Sequence, residues 1–136
     1  MELIILVGLQ ASGKSYFYNS RFAATHVHIS KDLMRNAKDR NSKQLALIEE
    51  ALKNGKSVVV DNTNPRVSDR APLIALGRKY GAKMIAYYFD APVKECIGRN
   101  RKREGKARVP DVAIYVTAKR LQKPESEEGF DEVFTV

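Results

Sequence analysis

Apolar residues in this chain come in short unbroken runs, separated by longer stretches where they recur at helical spacing. Leu3-Ile4-Ile5-Leu6-Val7, Val58-Val59-Val60 and Met84-Ile85-Ala86-Tyr87-Tyr88-Phe89 are the strongest runs. Runs without polar alternation fit strands covered on both faces, as in a parallel sheet. His26-Val27-His28-Ile29 reads as a weaker strand, and Gly129 to Val136 alternates as a last one at the sheet edge. Helical spacing covers Ser15 to Phe22, then a helix capped by Ser30 and carrying Leu33 and Met34. Asn36 to Asn41 reads as loop or frayed helix. Ser42 caps the next helix, with Leu45, Ala46, Ile48, Ala51 and Leu52 on one face and Asn54-Gly55 as its stop. Ser68 to Tyr80, a helix begun by Asp90-Ala91-Pro92, and Asp111 to Leu121 complete the pattern. Strand and helix in alternation predict an α/β fold, a parallel sheet of about five strands flanked by helices with right-handed crossovers. With 136 residues, 43% of them hydrophobic, the chain reads as a single domain over 1–136.

The joint between the first strand and the first helix carries a chemical signal. Gly8-Leu9-Gln10-Ala11-Ser12-Gly13-Lys14-Ser15 has the G-x-x-x-x-G-K-S pattern of a P-loop. Its glycines permit angles and close approaches that a Cβ forbids. The loop turns successive N–H groups toward one point at a helix N-terminus, an anion nest. Lys14 adds a cation for the β- and γ-phosphates of ATP, and the Ser15 hydroxyl is placed for Mg²⁺. The candidate donor set runs from Gly8 through Ser15 to Tyr16 at the start of the helix.

Two other strand ends carry polar groups. In Ser30-Lys31-Asp32-Leu33-Met34-Arg35, Asp32 and Arg35 are three apart and share a helix face. They read either as a surface pair or as a catalytic base beside a phosphate-binding arginine. In such sheets ligands bind at the carboxyl ends of the strands. The valine run ends in Asp61-Asn62-Thr63-Asn64-Pro65, an acid of the kind that orients Mg²⁺, followed by short polar groups above the site. An Asx-turn that starts the next helix is compatible with that role. His26 and His28 alternate with Val27 and Ile29 and are expected at strand surface positions, without the further ligands a metal site needs. Cys96 is expected to be buried packing.

Charge changes the picture in one place. Net charge is +8, and between Lys94 and Lys123 ten Lys or Arg stand against three acids, so that segment holds +7 of it. Arg99-Asn100-Arg101-Lys102-Arg103 is too one-signed to be laced by its own salt bridges. A basic helix, a break at Gly105, an extended Val109-Pro110 and a second helix read as a lid over about 99–122 that folds Arg99 and Arg103 onto phosphates. A single cysteine excludes an intramolecular disulfide framework, and no apolar run reaches membrane-spanning length. The first residues form a core strand with no signal-peptide pattern, so a cytoplasmic setting is expected.

The ordered set of elements resembles the kinase domain of the 5′-hydroxyl polynucleotide kinase family, the phage polynucleotide kinase and the kinase modules of polynucleotide kinase-phosphatases. The resemblance rests on Gly8 to Ser15, Lys31-Asp32-Leu33-Met34-Arg35, Asp61-Asn62-Thr63-Asn64-Pro65, Arg99 to Arg103 with Val109-Pro110, and Glu128-Gly129-Phe130. It implies the P-loop kinase fold and ATP- and Mg²⁺-dependent transfer to the 5′-hydroxyl end of DNA or RNA. Asp32 is then the general base, and Arg35 contacts the phosphate beside the hydroxyl. Asp61, with Asn62, Thr63 and Asn64, belongs to the acceptor and metal neighbourhood, and Arg103 is the lid arginine on the ATP phosphates. Family P-loops often read G-x-P-G-S-G-K-S-T, where this chain has Leu9-Gln10-Ala11 and Tyr16. There is no D-x-D-G-T phosphatase signature, so a phosphatase or ligase partner in trans is implied. Related P-loop proteins leave two alternatives, a kinase of a small-molecule or nucleotide-sugar hydroxyl and an ATPase module that transfers to no acceptor.

Overall fold

The structure is a computed structural model, and it describes residues 1–34 and 37–136. Its strands are β1 (Glu2–Gly8), β2 (Val27–Ile29), β3 (Val58–Asp61), β4 (Lys83–Phe89) and β5 (Glu132–Thr135). Its α-helices are α1 (Lys14–Arg21), α2 (Arg40–Lys53), α3 (Val67–Lys79), α4 (Val93–Arg101) and α5 (Asp111–Arg120). Short 3₁₀ turns cover Lys31–Leu33, Gly105–Ala107 and Ser126–Glu128. All strand pairs are parallel, in the order β2-β3-β1-β4-β5.

The apolar runs explain the layers. Leu3 to Val7 are fully buried because both faces of β1 are covered. Leu3, Ile5 and Val7 join Val58 and Val60 in a core with Ile48 and Leu52 of α2 and Leu73 and Ile74 of α3. Ile4 and Leu6 face the other way, into a cluster with Val59, Ile85, Phe89 and Tyr18 of α1. Each fully buried aliphatic side chain contributes about 1.5–3 kcal/mol, so the central strands hold the sheet. A third cluster, Leu9, Cys96, Ile97 and Ile114, joins α4 and α5 to the start of the P-loop. Cys96 is packing here, fully buried, and burial raises its thiol pKa.

This topology positions the site. The chain leaves β1, builds β2 and β3 on one side, then crosses to β4 and β5 on the other. The direction of winding thus reverses at the carboxyl end of β1, and a crevice opens there. Gly8, Ser30, Asp61 and Phe89 all lie at that edge.

Two local expectations are corrected, and a third falls outside the described residues. Ser30 does cap a turn, its hydroxyl accepting the Asp32 N–H at 3.3 Å, but the turn is 3₁₀ and ends at Leu33. Arg35 lies outside the described residues, so its expected helix face shared with Asp32 does too. The helix expected to start at Ser42 starts at Arg40, because Asp39 is the cap and accepts both the backbone N–H and the hydroxyl of Ser42. An aspartate can cap as well as a serine, and apolar spacing does not discriminate between them.

One buried charge was not anticipated from the pattern. Arg70 of α3 is 0% exposed. Its Nε and Nη2 donate to the two Glu128 carboxylate oxygens at 2.8 and 2.9 Å, and Nη1 donates to the Asn64 carbonyl at 2.8 Å. A bidentate pair with its remaining donor satisfied is the form in which a buried guanidinium is tolerated. Here it fastens the loop after β3 to the segment before β5.

Candidate active site

The P-loop leaves β1 at Gly8, whose missing Cβ matters, since one built there meets the Phe89 Cβ at 2.8 Å. Gly13 at φ 98° turns the loop into α1. Ala11 stands at φ 61°, a left-handed conformation unfavourable for a residue with a Cβ. Lys14 is folded back on the loop and only 8% exposed. Its ammonium donates to the carbonyls of Gly8 at 3.1 Å and Leu9 at 2.5 Å, and to the Ser12 hydroxyl at 3.4 Å. Burial lowers its pKa from 10.5 to about 8; Asp61, Cys96 and Asp32 oppose that shift, and Arg103 adds to it. The cation at the centre of the loop is thus held at an electrostatic disadvantage that an anion relieves.

Ser15 and Asp61 meet across the strand ends. The Ser15 hydroxyl donates to Asp61 Oδ2 at 2.7 Å, and His28 Nε2 contacts the same oxygen at 2.8 Å. Burial pushes the Asp61 carboxyl up, but hydrogen bonds from His28 and Ser15, with the charges of His28 and Lys14, outweigh it and leave the pKa below the ordinary carboxylate value. A hydroxyl and an ionised carboxylate at a phosphate loop are hard oxygen donors, the chemistry that suits Mg²⁺. Among the described residues no group of three or more His, Cys, Asp or Glu gathers in a cluster that could hold a metal ion.

The residues after Asp61 do structural work in the loop after β3. Asn62 Oδ1 accepts the Lys31 backbone N–H at 2.8 Å, and its amide donates to Gln44 at 2.6 Å. It thereby ties the Asp32 turn to α2. Asn64, at φ 44°, donates to the Leu6 carbonyl at 2.8 Å, and the Thr63 carbonyl receives the Gly8 N–H at 3.1 Å. A cleft of about 430 Å³ opens above this loop, lined by Lys31, Gln44, Thr63, Arg66, Thr117 and Arg120 among others. Asp32 is exposed on its turn.

A second cleft of about 540 Å³ opens on the P-loop itself, lined by Ala11, Ser12, Gly13, Tyr16, Arg99, Arg103 and Val136 among others. Tyr16 is 78% exposed at its rim. Two lid arginines are paired with acids outside the basic run, Arg99 with Glu95 at 2.5 Å and Arg101 with Asp111 at 3.0 Å. Salt bridges therefore reach further into the lid than its one-signed sequence suggests. Arg103 donates to the Ala107 carbonyl at 3.3 Å. Fully buried Asn100 anchors the lid, donating to the Val109 carbonyl at 2.6 Å and accepting the Val109 N–H at 3.0 Å. Gln10 joins the P-loop to α5 by donating to the Thr117 hydroxyl at 3.0 Å.

Among the sequence candidates, Lys14 is bonded to Gly8, Leu9 and Ser12 of its own loop, Ser15 bonds Asp61, and the charges of Asp61, Arg103 and Asp32 bear on that of Lys14. Tyr16 and Arg99 border the cleft on the P-loop, and Asn62, Thr63 and Asn64 the cleft at the loop after β3. The residue that sequence reasoning misplaced is His28. It is not a plain strand surface position, because its ring reaches Asp61 and lies on Tyr18. The available signal was its register, one step before the end of a strand that pairs with β3. His26 precedes β2 and contacts Glu2 at 2.8 Å.

Comparison with known proteins gives a consistent picture. A family model described as an AAA domain matches residues 3–124. The chain is similar to a putative bifunctional polynucleotide phosphatase/kinase of Acanthamoeba polyphaga mimivirus, 32% identical over 99% of this chain and 33% of that protein. It is also similar to a bifunctional polynucleotide phosphatase/kinase of Schizosaccharomyces pombe, 29% identical over 97% of this chain and 32% of that protein. It thus spans about a third of the length of these curated relatives. Among solved structures it resembles a chain in the Pnkp1/Rnl/Hen1 RNA repair complex, 30% identical with a TM-score of 0.75, covering 96% of this chain and 46% of that one.

Proposed function

The chain belongs to the AAA domain family of P-loop proteins, and from that premise we propose that it transfers the γ-phosphate of ATP to the 5′-hydroxyl end of a polynucleotide. The observation that carries the proposal is the convergence on Lys14. Asp61, Arg103 and Asp32 all bear on the charge of its ammonium, Ser15 bonds Asp61 at 2.7 Å, and one cleft opens on the P-loop while another opens at the loop after β3. Donor on one side and acceptor on the other is what an in-line transfer needs. The names of the relatives support a polynucleotide as acceptor.

ATP binds along Gly8 to Tyr16, with its phosphates on the loop N–H groups. Lys14 exchanges the Gly8 and Leu9 carbonyls for phosphate oxygens. Ser15 and Asp61 would hold Mg²⁺, which would supply neutralisation of charge on the nucleotide phosphates. Asp32 accepts the proton of the 5′-hydroxyl as its oxygen bonds to the γ-phosphorus, and the bond to the bridging oxygen of ADP breaks. Arg103 and Arg99 close over the phosphates, and Arg103 stabilises the charge of the transferring group. Arg35 holds the phosphate next to the acceptor hydroxyl. Asn62, Thr63 and Asn64 shape the acceptor side.

The test is transfer of labelled phosphate from ATP to a 5′-hydroxyl oligonucleotide, with RNA, DNA and a nucleoside 3′-monophosphate compared as acceptors. Transfer to the oligonucleotide, weakening steeply with salt, is expected. Transfer only to a small alcohol or sugar, or ATP hydrolysis alone, overturns the proposal. The Asp32→Asn variant is expected to lose about 10²–10⁴-fold in turnover while ADP affinity stays near wild type.

A further inference from the structure

Asp61 does not hold its position alone. Its carboxylate is 4% exposed, and a single oxygen, Oδ2, takes both the Ser15 hydroxyl at 2.7 Å and His28 Nε2 at 2.8 Å. The His28 ring lies nearly flat on Tyr18, with centroids 4.1 Å apart and planes 16° apart. The Tyr18 hydroxyl in turn donates to the His26 carbonyl at 2.7 Å. One ring thus joins α1, β2 and β3 at the carboxylate that faces the phosphate loop.

The geometry points to His28 as a positioning residue for the cation end of the site. An ionised carboxylate accepts hydrogen bonds only, so the contacting imidazole nitrogen is the one that carries hydrogen. That N–H fixes the rotation of the Asp61 carboxylate. The same oxygen takes the Ser15 proton, so the lone pairs of the Ser15 hydroxyl are left for a cation. Stacking on Tyr18 sets the plane of the ring, and the tyrosine is held by its bond to the backbone of residue 26. Outer hydrogen bonds of this kind orient metal ligands, and their loss typically weakens metal binding by about 10–100-fold. His28 needs no contact with nucleotide or acceptor for this role.

The inference rests on the reading of Ser15 and Asp61 as the Mg²⁺ end, but not on the identity of the acceptor. Its experiment therefore contains no acceptor. Binding of Mn²⁺ to the ADP-bound protein is followed by electron paramagnetic resonance, beside binding of a fluorescent ADP analogue in EDTA. For His28→Ala, Mn²⁺ affinity is expected to fall about 10–100-fold, while ADP binding in EDTA stays near wild type. His28→Gln restores an N–H at similar reach and is expected to recover most of the affinity. Unchanged Mn²⁺ affinity in His28→Ala overturns the inference. An equal loss in EDTA, or no recovery in a folded His28→Gln variant, also overturns it, because His28 would then be a structural support. Failure to phosphorylate an oligonucleotide overturns the proposed acceptor and leaves this result standing.

Discussion

Lys14 and Arg103 are cations at the same loop, yet the molecule holds them in opposite ways. Lys14 sits in a buried setting with three hydrogen bonds, flanked by Asp61, Ser15 and a fully buried strand. Arg103 extends from a lid whose residues 104–108 are exposed and whose fastening is concentrated at Asn100, Val109 and the Arg101–Asp111 pair. The first region is built before any ligand arrives, at some expense in stability. The second has a firm root and a solvated tip, so ligand phosphates can supply the order that the protein omits. Under the proposed function, Lys14 would supply preorganised charge stabilisation and Arg103 charge brought in by a closing lid, two different means to one end.

Four substitutions break or sharpen that contrast, from the largest expected effect downward. Glu128→Gln removes the carboxylate that balances the buried Arg70, and is expected to lower stability by about 3 kcal/mol in urea unfolding. Arg103→Ala is expected to slow phosphoryl transfer about 100-fold, while thermal unfolding stays at the wild-type temperature. A large loss of stability there would mean that the lid tip is part of the scaffold. Lys14→Met abolishes transfer, but is expected to stabilise the unliganded fold by about 2 kcal/mol at pH 7. The sign follows from linkage: with its folded pKa lowered from 10.5 to about 8, Lys14 disfavours folding fully below pH 8. That penalty fades as pH rises toward 10.5, so the advantage of Lys14→Met in unfolding scans should shrink over the same range. Ala11→Gly relieves the positive φ and is expected to add about 0.5 kcal/mol, the smallest effect, read as a slight rise in melting temperature.

Most of the scaffold was legible because it depends on runs and punctuation. Unbroken valines and isoleucines marked strands buried on both sides, and Asn54-Gly55 and Gly81 marked helix ends. The P-loop was legible because glycine, lysine and serine at that spacing have few other uses. What stayed hidden depends on long-range pairing. Arg70 looked like a surface helix residue until Glu128, far along the chain, came to cover it. His28 looked like one of two equivalent histidines, and only the approach of β3 separated them. Asn100, inside a basic run, looked solvated, yet it is the buried member of that run. Ser42 was read as the cap where Asp39 is, because a difference of one turn in where a helix begins leaves almost no trace in apolar spacing.

The Asn100 amide has a further consequence. By donating to and accepting from the same residue, Val109, it closes segment 101–108 at its base. The ends of that segment are fixed to each other rather than to its contents. With Arg101 tied to Asp111 and Arg103 reserved for the proposed transfer, the exposed stretch 104–108 is the part whose length and composition can change while α4 and α5 keep their places. Grafting other sequences between Arg103 and Val109 is thus a direct route to altering what the scaffold admits.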